Sequence, residues 1–313
     1  MGGFEKVALK KAADYAALEF RKTMPKKGGR SLNITKHSQA FAIFMIVWFP
    51  ISILYLHAVG GGQDDLFLAF CLFIILWVLG QDRDQSKQSG GCKGIRIENL
   101  LFSFFLFFIY RIITVICLYA FHVQANPTYY EDTAQVPMIV QYIIAIIAGP
   151  LWEEFIFRKC LWNELKSFGL VCTVIATSVA FMLLHDPINR IHAFGDGIIL
   201  GIILIITNDF KMCFFYHAFN NTSAFMFYKD AAGTQYDFQK MIILSSAGAV
   251  VTSVFILANK KYRTALKGRW IAACEQCKNE FNELRENKKT KRYACGMMCS
   301  AAAVLIAIAT GFI

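Results

Sequence analysis

The chain has 313 residues, of which 56% are hydrophobic, 15% aromatic and only 17% charged. A soluble domain carries about 25% charged residues, so this composition excludes an ordinary water-soluble globule. The net charge of +10 is concentrated between apolar blocks, where the positive-inside rule places it, and so argues against nucleic acid as the partner.

Residues 1–37 hold nine Lys or Arg against three acidic residues and have no continuous apolar core. They read as a basic N-terminal arm that stays in the mature chain. Within it, residues 4–20 fit either a helix lying on the membrane surface or a solvated arm. Apolar blocks follow at about 41–58, 66–80, 99–122, 136–152, 170–184, 194–207, 212–228, 240–258 and 294–313. Blocks of this kind approach the length a helix needs to cross the hydrocarbon layer, and within lipid a helix satisfies its own backbone. The expected fold is an all-α, polytopic membrane helix bundle of eight or nine transmembrane helices, the last of them marginal.

The connections 59–65 and 123–135 contain acidic residues (Asp64, Asp65; Glu131, Asp132) and no basic residue. By contrast, 81–98 holds Arg83, Lys87, Lys93 and Arg96, and 259–292 holds eleven Lys or Arg. That alternation places the N-terminus, loop 81–98 and loop 259–292 in the cytoplasm. Four regions result: the arm 1–37, N-terminal transmembrane helices 38–135, a core 136–230 and C-terminal helices 231–313. In loop 259–292, Trp270, Cys274, Cys277, Phe281 and Leu284 recur at helical spacing and predict an amphipathic helix. Cys274-x-x-Cys277 and Cys295-x-x-x-Cys299 have the spacing of a four-thiolate zinc site, but packing or juxtamembrane S-acylation explains the same residues. Cys71, Cys117, Cys172 and Cys213 fall inside spans and read as small apolar side chains.

Ionisable groups inside spans cost about 2.5–3.5 kcal/mol each on insertion scales, so three places require a reason. In Gly149-Pro150-Leu151-Trp152-Glu153-Glu154-Phe155-Ile156-Phe157-Arg158, Arg158 lies one turn beyond Glu154 and can pair with it. Glu153 points about 100° away and is left to face a cavity. Pro150 should kink or restart the helix and leave backbone carbonyls open nearby. Alternatively, the whole stretch is a charged helix end at the interface. Next, Phe181 and His185 share one helix face, as an interfacial histidine would or as half of a site. Finally His217 lies well inside an apolar block with Asn221 one turn on, and with Asn220 at i+3 also in reach. A helix–helix hydrogen bond would account for this pair as well. Glu153 and His185 are equidistant from the turn near Gly169, whereas His217 is closer to its own turn at 208–211. The depths match if the polar stretch 158–167 projects beyond the lipid.

Glu-Glu-x-x-x-Arg, then Phe-x-x-x-His, then His-x-x-x-Asn, in this order on successive helices, resembles the CAAX protease and bacteriocin-processing family. Its eukaryotic branch is the type II CAAX prenyl endopeptidase. The resemblance covers about 140–225 and implies a bundle of about eight helices with a polar cavity open to the cytoplasm. It implies an intramembrane endopeptidase in which Glu153 activates water, His185 positions it, and His217 and Asn221 stabilise the oxyanion. Glu154, Arg158 and Phe181 support them. The expected partners are the lipid bilayer and a lipidated substrate, a prenylated Cys-a-a-X protein or peptide, in the endoplasmic reticulum or plasma membrane. No cofactor is required on this reading. A zinc ion held by Glu153, His185 and His217 is the mechanistic alternative. A non-catalytic scaffold, an immunity protein or a transporter is the alternative of another class.

Overall fold

The computed structural model describes residues 36–59, 70–71, 73–74, 96–120, 138–185, 189–227 and 237–310. Nearly all of the basic arm, the connections 60–65 and 123–135, and most of 81–98 lie outside the described residues. Among the described residues every regular element is helical, as the composition requires. The elements are α1 (Lys36–Val59) and α2 (Ile97–Ala120), followed by a long composite segment. That segment runs through α3 (Met138–Tyr142), a π turn (Ile143–Ala148), α4 (Gly149–Glu154), a second π stretch (Phe155–Leu161), α5 (Trp162–Leu165) and a 3₁₀ turn (Lys166–Phe168). Then come α6 (Leu170–Leu183), α7 (Arg190–Thr207), α8 (Phe210–Phe227), α9 (Phe238–Ala258), α10 (Lys260–Glu286) and α11 (Lys288–Ala309).

By length and composition α2, α7, α9 and α11 can each cross a membrane, and Ser38–Leu54 and α6 are apolar but shorter. On α9, Ile243, Val250, Val251, Val254 and Phe255 all point outward. An outward apolar face of this size is a liability in water and the ordinary outer surface of a helix in lipid. The protein is a multi-pass membrane protein. The composite segment and α8 escape the same test because they carry Glu153, Glu154, Arg158, His217 and two asparagines.

α6 is the central helix, with only Val171 exposed along its length. One side packs with α1, α5 and α11 through Phe41, Phe49, Leu165, Ala176 and Met297, and a second core joins α2, α7 and α8 through Phe107, Leu200, Met212 and Tyr216. Gly197 and Gly201, one turn apart on α7, let that helix lie against Ser178 and Val174 of α6. A Cβ at Gly197 would stand 2.8 Å from the Ser178 Cα. Small residues at such a crossing bring backbones close where the hydrophobic effect supplies no drive. The chain enters α6 through Gly169 at φ 99° and enters α8 through Asn208 at φ 49°.

Asp237, Asn259 and Asn287 cap α9, α10 and α11 with side-chain oxygens. Gly169 offers no such cap to α6, and Glu280 of α10 supplies it from a distance, accepting the Leu170 N–H at 2.7 Å. The expected amphipathic helix at 259–292 is thus present as α10, but of its apolar stripe Trp270, Cys274 and Phe281 face away from the bundle while Cys277 packs inward. Trp270 and Phe281 are exposed, while Tyr262, Ala272 and Ala273 are buried against α2 and α7. Small residues on the inner face let the helix lie flat, which bulky ones would prevent. The two cysteine pairs have different surroundings. Cys277 packs into the α2–α7–α8 core, whereas Cys295 and Cys299 are exposed on α11 with sulfurs 3.9 Å apart. Cys172 and Cys213 are buried as expected of apolar side chains, and Cys117 faces outward.

Candidate active site

The site begins with a backbone irregularity. In the π turn before Pro150 the Gly149 N–H bonds back five residues to the Ile144 carbonyl. In that register the donor for the Ala145 carbonyl would be the nitrogen of Pro150, which carries no hydrogen. Ala145 is therefore free to accept from elsewhere, and the Asn221 amide donates to it at 2.7 Å. A proline on one helix thus fixes an asparagine on another. The open carbonyl expected near Pro150 is present and is in use.

Beyond Pro150 the two glutamates diverge as helical geometry requires. Glu154 is fully buried. Its Oε1 accepts from His217 Nδ1 at 2.9 Å, and its Oε2 lies 3.4 Å from Arg158 Nε, one turn along. Arg158 is held further by the Gly197 carbonyl at 3.4 Å and by the face of Phe181, 5.4 Å from its ring centroid. Glu153 points elsewhere, with its side chain 20% exposed. Among the described residues its Oε2 has no hydrogen-bond partner, and it lies 4.0 Å from His185 Nε2 and 3.9 Å from His217 Nε2. Cys71 and Trp152 flank it, Cys71 within electrostatic reach.

The tautomers follow from the partners. His185 Nδ1 faces the Phe181 carbonyl at 2.7 Å. A carbonyl only accepts, so that nitrogen carries a hydrogen and Nε2 is left to the cavity. His217 Nδ1 likewise donates to Glu154, which leaves its Nε2 toward Glu153. Phe181 stands between the two rings, 4.4 Å from His185 and 5.6 Å from His217 by centroid, and touches Arg158 as well. Glu153, Glu154, Arg158, Phe181, His185 and His217 thus lie together, and Asn221, one turn beyond His217, bonds to the Ala145 carbonyl. The depth problem resolves as well. His217 follows Asn208 by seven fewer residues than His185 follows Gly169, about 10 Å of helix, so the Gly169 turn stands beyond the Asn208 turn by that height.

Sequence reading passed over a second buried cluster beside this one. Asp196 of α7, 5% exposed, accepts from Tyr216 at 2.8 Å and Asn220 at 3.1 Å, and pairs with His192 at 2.8 Å. Arg111 of α2 donates to Asn220 and, at 2.9 Å, to Ser223. The available signal was an Asp and an Arg well inside apolar blocks, which marks function by default.

Residues 135–223 match the family model described as Rce1-like, type II CAAX prenyl endopeptidase Rce1-like. The membrane-embedded CAAX protease MroQ of Staphylococcus aureus (strain USA300) is 32% identical over 95 residues, which are 28% of this chain and 38% of that relative. The match thus spans well under half of either protein. No solved structure matches the chain. The matched segment contains Glu153, Glu154, His185, His217 and Asn221. Over that segment the chain is similar to the CAAX protease and bacteriocin-processing family.

Proposed function

We propose that this protein is an intramembrane endopeptidase that hydrolyses a peptide bond near a lipidated C-terminus, with Glu153 as the base that activates water. One observation carries the reading. Glu153 Oε2 is buried, has no hydrogen-bond partner among the described residues, and lies about 4 Å from Nε2 of His185 and of His217. Polar atoms at such a separation are bridged well by one water, about 2.8 Å from each. A water there can pass a proton to Glu153 while its oxygen attacks a carbonyl, and Glu153 can return the proton to the departing amine.

The remaining groups serve the charge that develops. With Nδ1 of His217 held by Glu154, Nε2 donates to an oxyanion only when the ring carries both protons, and Glu154 supplies the counter-charge. Asn221 uses one amide hydrogen on Ala145 and keeps the other. Donors fixed in advance in a water-poor site are worth about 3–4 kcal/mol each. The lipidated substrate is inferred from the resemblance to CAAX proteases and from access through lipid, where a prenyl chain can dissolve while its peptide reaches the polar residues.

A zinc ion on Glu153, His185 and His217 is the alternative. Ligand atoms in a tetrahedral zinc site stand about 3.3 Å apart, closer than the 4.0 and 3.9 Å seen here. Among the described residues no group of three or more His, Cys, Asp or Glu is arranged to hold a metal. The test is cleavage of a farnesylated Cys-a-a-X peptide by detergent-purified protein, with and without a strong chelator, beside Glu153→Ala. Activity lost in the variant and indifferent to chelator supports the proposal. Chelator loss restored by zinc would replace it with the metal site, and cleavage by Glu153→Ala at the wild-type rate would overturn it.

A further inference from the structure

We propose that Asp196 is a positioning residue that fixes the rotation of α8 and so aims His217 and Asn221 at the reacting atoms. The inference rests on the protease reading of that site.

α8 carries two polar pairs at i,i+4 spacing, offset by one residue. Tyr216 and Asn220 face Asp196 of α7, at 2.8 and 3.1 Å. His217 and Asn221 face the composite segment, at 2.9 Å to Glu154 and 2.7 Å to Ala145. Successive residues on a helix diverge by about 100°, so the first pair determines where the second points. Asn220 is held at both ends, donating to Asp196 and accepting from Arg111. Arg111 also takes Ser223, one turn short of the end of α8.

The platform under the clamp is itself rigid. Asp196 stands between Gly195 and Gly197, whose missing side chains admit Tyr110 and Ser178. Tyr110 donates to the His192 carbonyl at 2.9 Å, and His192 pairs with Asp196 one turn on. The carboxylate also lies within electrostatic reach of His217.

Magnitude favours a role in aim over a role in stability alone. A side-chain tip about 5–6 Å from the helix axis moves about 1 Å for each 10° of rotation. A displacement of about 1 Å costs on the order of 100-fold in rate. Apolar packing resists separation of helices but resists rotation weakly, whereas hydrogen bonds to one fixed carboxylate are directional.

The experiment uses the full-length protein in detergent, single-turnover cleavage of the farnesylated peptide, and four variants: Asp196→Asn, Tyr216→Phe, His217→Gln and the double Asp196→Asn/His217→Gln. Asp196→Asn is expected to lower kcat by about 30- to 100-fold with KM within about twofold. Tyr216→Phe, which removes one clamp bond and no charge, should lower it by about tenfold, and stays informative if Asp196→Asn fails to fold. In the His217→Gln background the Asp196 change should add less than it does in the wild type, because its route through His217 is gone and only that through Asn221 remains. Wild-type kcat in both Asp196→Asn and Tyr216→Phe, or a full and additive loss in the double, would overturn the proposal. Failure of the protease reading looks different: wild type and Glu153→Ala would then be equally active or equally inactive, and this proposal would fall with it.

Discussion

Two clusters of buried polar groups lie side by side in this bundle, and they differ in what is left over. Around Asp196 each carboxylate oxygen meets a donor: Tyr216 on one, His192 and Asn220 on the other. Around Glu153 the buried Oε2 has no partner among the described residues, and two imidazole nitrogens face it across a gap that fits one water. Both clusters pay the cost of ionisable groups in an apolar surround. The first uses both oxygens of its carboxylate to hold helices together. The second leaves bonding capacity unfilled at one point, and Glu154, fully buried and shared by Arg158 and His217, keeps that point in place. In a low-dielectric interior the unfilled capacity identifies the site better than charge does.

The contrast can be broken in order of effect. Glu153→Gln removes the base without removing a scaffold bond, so cleavage should fall by about 10³- to 10⁴-fold while thermal unfolding in detergent stays within about 1 kcal/mol. A large stability loss would show that Glu153 is structural. Glu154→Gln should damage both properties, because it leaves Arg158 without its counter-charge. A loss of about 3–5 kcal/mol in unfolding, with cleavage reduced on the order of 100-fold, is expected from denaturation and kinetic measurements together. Gly197→Ala removes no polar group but places a Cβ 2.8 Å from the Ser178 Cα and 2.9 Å from its hydroxyl. The α6–α7 crossing should open at a cost of about 1–3 kcal/mol, read by unfolding, with the Arg158 contact to the Gly197 carbonyl weakened in consequence.

The smallest effect concerns pH and α10. Burial raises the Glu280 carboxyl above its ordinary value of 4.5, while the bonds from the Leu170 N–H and Gln276 act in the other direction. With its folded value raised, Glu280 contributes stability that is complete in acid, below that ordinary value, and is lost as pH rises through the raised one. Glu280→Gln keeps an oxygen for the Leu170 N–H and cannot titrate. Relative to this variant the wild type should lose stability with rising pH, by less than about 1 kcal/mol, as measured by thermal unfolding at a series of pH values.

Much of this was legible beforehand. The apolar blocks foretold the helices, and the spacing of Glu153, Glu154 and Arg158 foretold which carboxylate pairs and which stays open, because both follow from periodicity within one helix. What lay between helices was hidden. Asp196 and Arg111 were visible as charges inside spans, but nothing local says that they share Asn220, since residues 85 positions apart meet only through packing. The π register before Pro150 was equally hidden, although the proline announced that some carbonyl would be open. On α10 the stripe of Trp270 and Phe281 was read correctly as helical. Periodicity alone does not say whether such a stripe meets protein or faces away from it.

The carbonyl freed at Ala145 also imposes a history on the molecule. The segment that carries it is synthesised more than fifty residues ahead of Asn221, and Glu154 likewise precedes His217. During that interval neither group has its final partner, and lipid offers none. The nascent segment is therefore most stable where water or headgroups still reach positions 145–154, and it settles to its final depth only when α8 arrives. Insertion and assembly of the site are then a single event, and a variant that loses Asn221 or His217 should be short of membrane-inserted protein as well as of activity.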